Sequence, residues 1–372
     1  MAKNTDNLLN AKNEKYAEFY TLYEDIEKEM NEYYEYNKNV FRDKTILLPC
    51  DDPEWSNFTK YFVANFNRFG LKKLISTSYA NDKKPNKKPC QLSLFELESP
   101  DYDETKTNSH GKIYTLTRRN RNVNKDDLKW KYLEGDGDFR SDEVKALRDE
   151  ADIIITNPPF SLFREFFAWI LEANKQFLVI SDLGSVAYKE IFPHIKANAI
   201  WLGATRNGTG SMWFMIPNDA PKKKGQKIVN GQKYQTIGTS IWLTNIDHGK
   251  RHERIRLMTE ADNLKYNKSL INKLPRDEEG KPYYLNYDNY PALEVPIVEA
   301  IPSDYDGIVG VPTTFLSKYN PEQFEIIGIG TGDSGKSIGV KKNYRGRTDI
   351  SYTIDGVHKC PFSRILIRKK AS

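Results

Sequence analysis

The sequence is poor in the residues and segments that would tie it to a disulfide framework, a metal or a membrane. It has three cysteines in 372 residues, far apart and odd in number, and five scattered histidines. This favours reduced cytoplasmic thiols and argues against a structural zinc site. No apolar run reaches the roughly 18 residues of a membrane span, and the first fifteen residues lack the apolar stretch of a secretory signal. We expect a globular, cytoplasmic protein without a membrane segment or a metal.

Charge is nearly balanced over the whole chain but not along it. Fifty-six Lys and Arg residues against 51 Asp and Glu residues give a net charge of +5, which by itself identifies no partner. The second half contains four basic clusters: PKKKGQK (221–227), KRHERIR (250–256), KKNYRGR (341–347) and RILIRKK (364–370). Any one cluster is more often a solvated face, but four in one half, with aromatic residues among them, favour binding to a phosphate backbone.

The order of hydrophobic patterns predicts an α/β fold. Up to about residue 202, short buried strands alternate with amphipathic helices: strands at 45–48, 73–79, 152–156 and 177–181, and helices at 14–38, 142–150 and 161–174. This alternation is typical of a largely parallel sheet with helices on both faces. Residues 80–110, rich in Pro, Lys, Asp and Ser, are predicted to be an insertion loop. The last part of the chain predicts a smaller, β-rich module.

One tetrapeptide stands where a ligand is expected. Asn157-Pro158-Pro159-Phe160 follows the predicted strand 152–156, and in an open parallel sheet ligands bind at the carboxyl ends of the strands. The two prolines remove two N–H donors. The side-chain oxygen of Asn157 and the carbonyl of Pro158 are then two acceptors, which match the two hydrogens of an exocyclic amino group. Phe160 offers a flat face to the ring that carries this group.

Two fixed acceptors would draw the amino nitrogen toward tetrahedral geometry and free its lone pair to attack an electrophilic methyl group. Alignment and electrostatics would then do most of the catalysis. The alternative is an ordinary strand-to-helix turn with Ser161 as the helix N-cap, since Asn-Pro is common turn chemistry. A hydrophobic staple in that turn would pair Phe160 with position 165, which is Glu165. The missing staple favours a functional role for Phe160.

The tetrapeptide resembles the catalytic motif of amino-group DNA methyltransferases. Five further segments are similar to the EcoRI-type adenine-specific DNA methyltransferases: residues 15–30, 47–62, 72–79, 132–139 and 311–328. The resemblance implies a Rossmann-like class I methyltransferase domain in residues 1–285 and a C-terminal DNA target-recognition module in residues 286–372. It implies transfer of a methyl group from S-adenosylmethionine to N6 of a flipped adenine in double-stranded DNA. The enzyme would be the modification half of a restriction-modification system, with GAATTC as the first site to test.

The resemblance also implies roles for particular residues. The target base would be held by Asn157, Pro158, Pro159 and Phe160. The cofactor would be bound by Phe19, Tyr20 and Thr21 at its methionine end, by the loop Cys50, Asp51, Asp52 and Pro53, and by Asp138 and Phe139 at its adenine. Two departures from the usual methyltransferase pattern make the cofactor contacts less definite. The loop after the first strand has no glycine, and the second strand does not end in an acidic residue. Asp51 or Asp52 would take over the contact with the ribose.

A second aromatic group is a candidate for packing on the flipped base. Trp213 and Phe214 follow the glycine-containing segment 206–210, and aromatic walls stabilise a flipped base. An aromatic pair in a strand belongs more often to the core. Both interpretations stay open from the sequence alone.

Residues 330–337, GTGDSGKS, satisfy the P-loop pattern and follow the predicted strand 324–329, which raises the alternative of an ATP site. The segment after Ser337 has no helical apolar period, and 35 residues are too few for the rest of a P-loop sheet. We interpret the segment as a Gly/Lys loop on DNA phosphates. The candidate DNA-binding residues are Lys336, Lys341, Lys342, Arg345 and Arg347.

Three other functions remain open. An N4-cytosine DNA methyltransferase would use the same chemistry, and an RNA- or protein-directed amino methyltransferase could use the same loop without a DNA-recognition module. A DNA-binding protein without activity would require the tetrapeptide to be incidental. For the main interpretation we expect a monomer that acts on double-stranded DNA. A cognate restriction endonuclease would act on the same site without forming a stable complex.

Overall fold

The computed structural model describes residues 20–51, 56–80, 102–107, 109–119, 122–123, 127–205, 212–236 and 238–371. Phe19, Asp52 and Pro53, together with most of the predicted 80–110 insertion, lie outside these residues. The chain divides into two compact units, one within Met1–Asp182 and Gly210–His248 and the other within Leu183–Thr209 and Gly249–Ser372. The predicted boundary between residues 285 and 286 does not coincide with this division. That boundary concerns function and stays a prediction.

The described residues contain nineteen strands and nine α-helices. In chain order the strands are β1 (Tyr20–Thr21), β2 (Thr45–Leu48), β3 (Lys73–Thr77), β4 (Lys112–Thr117), β5 (Lys129–Tyr132), β6 (Ile153–Thr156), β7 (Gln176–Asp182), β8 (Trp201–Leu202), β9 (Trp213–Ile216), β10 (Gln226–Val229), β11 (Gln232–Thr236), β12 (Ser240–Thr244), β13 (Leu285–Asn286), β14 (Ala292–Glu294), β15 (Ile308–Pro312), β16 (Phe324–Ile329), β17 (Tyr352–Ile354), β18 (Val357–Lys359) and β19 (Arg364–Lys369). The helices are α1 (Tyr23–Tyr36), α2 (Asn57–Ala64), α3 (Phe66–Phe69), α4 (Asp142–Glu150), α5 (Phe163–Glu172), α6 (Phe192–Lys196), α7 (Glu260–Tyr266), α8 (Lys268–Ile271) and α9 (Gly332–Ser337). None of these helices is long and apolar enough to cross a bilayer.

Seven strands of the first unit form a mixed sheet in the order β5-β4-β3-β2-β6-β7-β12. The central strands β3, β2, β6 and β7 are parallel, as predicted. Their short apolar runs, such as TILL and IIIT, are buried along their whole length, as expected for strands covered on both faces. Strands β4, β5 and β12 pair antiparallel at the two sides. The protein is therefore a mixed α/β protein, and the expectation of a largely parallel sheet holds only for its centre.

An aromatic cluster packs beside the N-terminal half of this sheet. Helix α2 begins where the Ser56 side chain accepts a hydrogen bond from the Phe58 amide (3.1 Å), and α3 ends at Gly70 in the left-handed conformation. The helices bury large rings, among them Tyr33, Tyr61, Phe62, Phe66 and Phe69. Phe41, from the loop after α1, packs against Phe62 and Phe69. Burying each ring contributes about 2–3 kcal/mol before entropic costs. This cluster anchors the segments before and after β2.

A smaller antiparallel sheet of the first unit has the order β1-β9-β11-β10. Trp213 and Phe214 do lie in a strand, β9, as the core interpretation of this pair requires, whereas the β10–β11 hairpin was not predicted. Its turn, Asn230-Gly231, has positive φ at both residues (49° and 78°), which is the type I′ geometry that Asn-Gly favours. The dipeptide was therefore a usable signal. The flanking sequence hid it because QKIV and QKYQT do not alternate cleanly.

The second unit contains a five-stranded sheet in the order β13-β14-β15-β19-β16 and a separate hairpin of β17 and β18. The buried carboxylate of Glu294 accepts two hydrogen bonds from Arg364, from Nε (3.0 Å) and Nη2 (2.7 Å), and a further one from the Tyr287 hydroxyl. These bonds link β14 to β19. The predicted strand 324–329 is confirmed.

Backbone contacts fix the loop between β5 and α4. Gly137 has φ +83°, and a Cβ atom there would lie 2.1 Å from the Ser78 carbonyl oxygen. The Ala80 amide donates to Asp136 O (2.7 Å), and the Gly111 amide donates to Gly135 O (2.9 Å). Only glycine fits this approach. The end of β3 thus determines where the next residues, 138 and 139, lie.

We predict that Gly137→Ala lowers the free energy of unfolding by about 3 kcal/mol or more, because left-handed strain adds to a backbone clash. Gly231→Ala is the matched control, since Gly231 has φ +78° and a Cβ atom there would meet no other atom within 4 Å. We expect a loss of about 1 kcal/mol there. Urea unfolding followed by circular dichroism measures both. Equal losses would contradict the close approach at Gly137.

Candidate active site

A buried carboxylate joins the loop after β2 to the end of β6. Asp51 is 8% exposed, and its Oδ1 accepts a hydrogen bond from Ser56 Oγ (2.9 Å). Its Oδ2 lies 2.6 Å from the Thr156 hydroxyl, which also lies 2.5 Å from the Pro49 carbonyl oxygen. Ser76 Oγ donates to the Asp51 backbone oxygen (3.0 Å). Groups from the ends of β2, β3 and β6 and from the start of α2 therefore meet at one residue.

Cys50 precedes this carboxylate in a tight turn with φ +65°. Burial raises the pKa of its thiol well above the usual range, and the carboxylates of Asp51 and Asp138 raise it further. The thiol is therefore protonated at neutral pH. The electrostatic effect of Asp138 on this thiol indicates that the predicted cofactor segments at residues 50–51 and 138–139 lie near each other.

Asp138 is held by an arginine that the sequence analysis missed. Arg140 donates to Asp138 through Nε (2.9 Å) and Nη2 (2.6 Å), and its backbone amide donates as well (2.8 Å). These hydrogen bonds keep the pKa of Asp138 below its usual range despite partial burial. A third guanidinium nitrogen, Nη1, reaches Glu165 in α5 (3.0 Å). Asp138 is thus an ionised acceptor of fixed orientation.

Phe139 lies in the core rather than on an open surface. It is 4% exposed, and its ring meets Phe166 and Trp169 of α5 edge-on, with centroids 5.1 and 5.8 Å apart. Arg140 lies over the same ring at 5.4 Å. Its predicted stacking on the cofactor adenine stays a prediction.

The tetrapeptide at the end of β6 leads into a short 3-10 turn before α5. Asn157 is half-buried and its side-chain oxygen is enclosed. Phe160–Leu162 form the 3-10 turn, and α5 starts at Phe163. The Ser161 N-cap of the ordinary-turn alternative is not found, because the Leu162 amide already bonds to Pro159 O (3.0 Å) and the helix starts two residues later, at Phe163.

Phe160 finds a packing partner that is distant in the sequence. Its ring meets that of Phe214 at 6.3 Å and 81°, an edge-to-face contact. Phe214 is fully buried, so the core interpretation applies to it. Trp213 points to the opposite face of β9, where Lys227 Nζ lies 4.1 Å from its ring centroid. The predicted aromatic pair is therefore split between two faces.

Strand β1 places the N-terminal segment next to Phe214 in β9. Thr21 pairs with Phe214 and Tyr20 with Met215, and Asn57 Nδ2 donates to Thr21 O (2.8 Å). The Thr21 hydroxyl is buried and has no hydrogen-bond partner within the described ranges. The structure thus brings together Thr21, Asp51, Asn157, Phe160 and Phe214 from predicted segments far apart in the chain.

The missed residues of this cluster are Ser56, Asn57, Thr156 and Arg140. Thr156 had a local signal, since it is a polar residue that ends the apolar strand IIIT directly before Asn157. Ser56 had the signal of a helix N-cap, because it precedes the amphipathic run of α2, and the same hydroxyl also bonds to Asp51. Neither Asn57 nor Arg140 had a pattern that would identify it.

The predicted DNA-binding residues of the second unit are exposed. Lys336 lies in α9, and Lys341, Lys342, Arg345 and Arg347 lie in the loop that follows. Asn343 ties that loop, because its Oδ1 accepts from the Arg345 amide (2.8 Å) and its Nδ2 donates to Asp349 O (3.0 Å).

The P-loop pattern does not form a phosphate cradle here. Residues Gly332–Ser337 are themselves the short helix α9, rather than a loop before a helix. The Gly332 amide donates to the Asp349 carboxylate (2.9 Å), and a Cβ atom at Gly335 would lie 2.4 Å from Thr348 O. The chain's own acid and backbone occupy this side, which argues against an ATP site. The predicted Gly/Lys loop is instead a short helix, and its contact with DNA phosphates stays a prediction.

We predict that Thr156→Val lowers the free energy of unfolding by about 2–3 kcal/mol, because it leaves a buried carboxylate oxygen short of a donor. Thr156→Ser should stay near the wild type. The control is Thr244→Val, since the buried Thr244 hydroxyl contacts only neutral groups: it donates to Phe177 O (2.6 Å) and accepts from the Ile246 amide (3.0 Å). We expect it to cost about 1 kcal/mol. Equal losses in urea unfolding for the two valine variants would show that the Asp51 bond adds no stability.

Comparison with known proteins identifies the family. The chain matches the family model described as "Adenine-specific methyltransferase EcoRI" over residues 7–370. It is 37% identical to the type II methyltransferase M.EcoRI of Escherichia coli, across 100% of this chain and 99% of that protein. It is 36% identical to the type II methyltransferase M.MgeORF184P of Mycoplasma genitalium, across 85% of this chain and 84% of the relative.

A further relative is the type II methyltransferase M.MpnI of Mycoplasma pneumoniae, 33% identical across 85% of this chain and 83% of that protein. No solved structure shows significant similarity to the chain. The family match covers the Asp51 loop, the tetrapeptide and strand β9 together, and membership implies a methyl donor. The chain therefore belongs to the EcoRI family of adenine-specific methyltransferases and is an enzyme of that specificity.

Proposed function

We propose that the enzyme transfers a methyl group from S-adenosylmethionine to N6 of an adenine flipped out of double-stranded DNA. It would be the modification enzyme of a type II restriction-modification system, as the names of its relatives suggest. The observation that carries the proposal is the bond between Thr156 and Asp51. It ties the tetrapeptide to the loop after β2, so the group that holds the target base and the group that holds the methyl donor have one common support.

The sheet supports a Rossmann-like interpretation of the first unit. Its four parallel strands have the order β3-β2-β6-β7, and the Asp51 loop and the tetrapeptide both leave from carboxyl ends. Strand order reverses between β2 and β6, the point where open α/β sheets bind ligands. For residues 286–372 we keep the role of target recognition, which their exposed basic loop supports.

The residues of the site fit S-adenosylmethionine. The buried Thr21 hydroxyl, without a partner among the described residues, can bond to the polar methionine end. The Asp138 carboxylate, kept ionised by Arg140, is an acceptor for the amino group of the cofactor adenine. Asp51 is 8% exposed and is held by Ser56 and Thr156, so we assign to it the positioning of the loop. When bound, the cofactor supplies a methyl group on a positively charged sulfur.

The tetrapeptide would activate the target by orientation. Asn157 Oδ1 and the Pro158 carbonyl accept the two hydrogens of the adenine amino group, which turns its lone pair toward the methyl group. Phe160 stacks on the flipped ring and is itself braced by Phe214. Asn157 and Pro158 are neutral acceptors, so the surplus proton of the methylated nitrogen passes to water. Preorganised acceptors of this kind act mainly through electrostatics.

The decisive experiment incubates the purified protein with S-adenosylmethionine and plasmid DNA and identifies modified nucleosides by mass spectrometry. We expect N6-methyladenine, and sequencing of the methylated sites then tests GAATTC. Detection of N4-methylcytosine instead would show that the target base is cytosine. Methylation of RNA or protein, with no methylation of DNA, would favour the RNA- or protein-directed alternative.

We predict that Asn157→Ala lowers the rate of methyl transfer about 100- to 1000-fold, the usual effect of losing one preorganised hydrogen-bonding group. Its affinity for DNA should change little, because phosphate contacts supply most of that affinity. Asn37→Ala, at an exposed asparagine of the same unit, is the control. Single-turnover methylation and fluorescence anisotropy measure the two effects. Parallel losses of rate and DNA affinity would mean that Asn157 is structural.

We predict that Arg140→Gln weakens S-adenosylmethionine binding, and more so as the pH falls. Without Arg140 the pKa of Asp138 rises toward its ordinary value. Its carboxylate, needed as an acceptor, then protonates at a higher pH than in the wild type. Isothermal titration across the acidic range measures this. Arg118→Gln, which removes an exposed pair with Asp43, should leave the pH profile unchanged. A profile of Arg140→Gln that is parallel to the wild type would remove Asp138 from the cofactor site.

A further inference from the structure

The β10–β11 hairpin combines features that a solvated loop does not need. Its tip exposes two adjacent β-branched apolar side chains, Ile228 (68%) and Val229 (44%). Residues 217–236 contain five lysines and one acidic residue, Asp219. Lys222, Lys223 and Lys224 are all exposed in the segment that enters the hairpin. An exposed apolar tip beside concentrated positive charge is typical of a surface that binds a nucleic acid.

The lysine segment is held in a fixed shape. The Lys223 amide donates to Gln226 Oε1 (3.0 Å), and Gln226 Nε2 donates to Pro221 O (2.9 Å). From the next strand, Gln235 Nε2 donates to Lys224 O (3.1 Å). Two glutamine side chains therefore close the loop and present the lysines from an ordered backbone. Less side-chain and loop entropy is lost when such a surface binds a partner.

The register of the small sheet relates the hairpin to the catalytic motif. Residues paired across antiparallel strands lie on the same face. Phe214 pairs with Gln235, and two residues along, Ile216 pairs with Lys233, which pairs with Ile228. Ile228 therefore lies on the same face of the sheet as Phe214, whose ring contacts Phe160. Strand spacing and rise place it about 12 Å from Phe214.

That distance corresponds to about three or four base-pair steps of duplex DNA. A target adenine held at Phe160 would leave its neighbouring base pairs within reach of the hairpin tip. Proteins that distort DNA insert apolar side chains such as isoleucine between base steps, and the unstacking they cause makes base extrusion easier. Lysines on the same loop would neutralise the phosphates of the same stretch.

We infer that the β10–β11 hairpin is an element of the first unit that binds duplex DNA beside the target adenine. Lys222, Lys223 and Lys224 bind phosphates, and Ile228 enters the groove and promotes extrusion of the adenine. Val229, which points to the opposite face of the hairpin, adds apolar surface at the tip. This inference rests on the proposed function and adds a second DNA contact, separate from the basic loop of the second unit.

The test uses a short duplex built around the adenine that the wild-type protein methylates in plasmid DNA, with 2-aminopurine in place of that adenine. Its fluorescence rises when the base leaves the stack, so extrusion is measured in the presence of S-adenosylhomocysteine without methyl transfer. For the double variant Ile228→Ser/Val229→Ser we expect the fluorescence rise to fall by about half or more. Its single-turnover rate should fall about tenfold, while the Kd for DNA changes less than about threefold.

The lysines are tested by the triple variant Lys222→Gln/Lys223→Gln/Lys224→Gln. We expect DNA affinity to fall about tenfold or more, and the slope of log Kd against log salt concentration to fall by about 3. Tyr266→Ser is the control for loss of an exposed apolar group, since Tyr266 lies on α7 of the second unit and is 60% exposed. We expect it to match the wild type in every assay.

The outcomes separate this inference from the proposed function. Without adenine methylation by the wild type, the proposed function itself fails. With normal methylation, wild-type fluorescence and rate in the Ile228/Val229 variant together with an unchanged salt slope in the lysine variant would overturn the inference. A shift of the Ile228/Val229 variant between dimer and monomer in sedimentation, with DNA binding and extrusion unchanged, would assign the tip to a second copy of the chain and would also overturn it.

Discussion

The arrangement of the site depends on one hydrogen-bonded carboxylate. Asp51 is buried at the carboxyl end of β2, where an isolated charge would cost several kcal/mol. It is tolerated because Ser56 and Thr156 donate to its two oxygens. Since these donors come from the start of α2 and the end of β6, the need to satisfy a single charge aligns three segments. The position of Asn157, the residue after Thr156, follows from that alignment.

The packing around this point explains why the segments stay in register. Strands β2 and β6 are buried along their length, and the aromatic cluster of α1, α2 and α3 covers the N-terminal side. Apolar packing of this kind is not directional. The directional part comes from short polar links such as Asn57 to Thr21 O and the glycine contacts at Ser78. Core packing thus sets the layers, and a few buried polar bonds set the positions of the functional side chains.

The central strands of the sheet could be predicted from the sequence because the signals that identify them are local. Short apolar runs identified β2 and β6, and the paired prolines of residues 158 and 159 located the motif between strand and helix. The sequence did not reveal that the edge strands run antiparallel, since direction depends on long-range pairing and not on local pattern. For the same reason, the sequence did not predict the hydrogen bond between Arg140 and Asp138 or the ring contact between Phe160 and Phe214. A cap at Ser161 is absent because a 3-10 turn, Phe160–Leu162, precedes α5.

The cysteine in the Asp51 loop has a chemical consequence for a methyltransferase. A thiolate is a stronger nucleophile toward a sulfonium methyl group than an aromatic amine, and only the thiolate form reacts readily. Burial and two neighbouring carboxylates keep Cys50 as the thiol. With the proposed methyl donor bound, this thiol would therefore compete poorly with the target base for the methyl group.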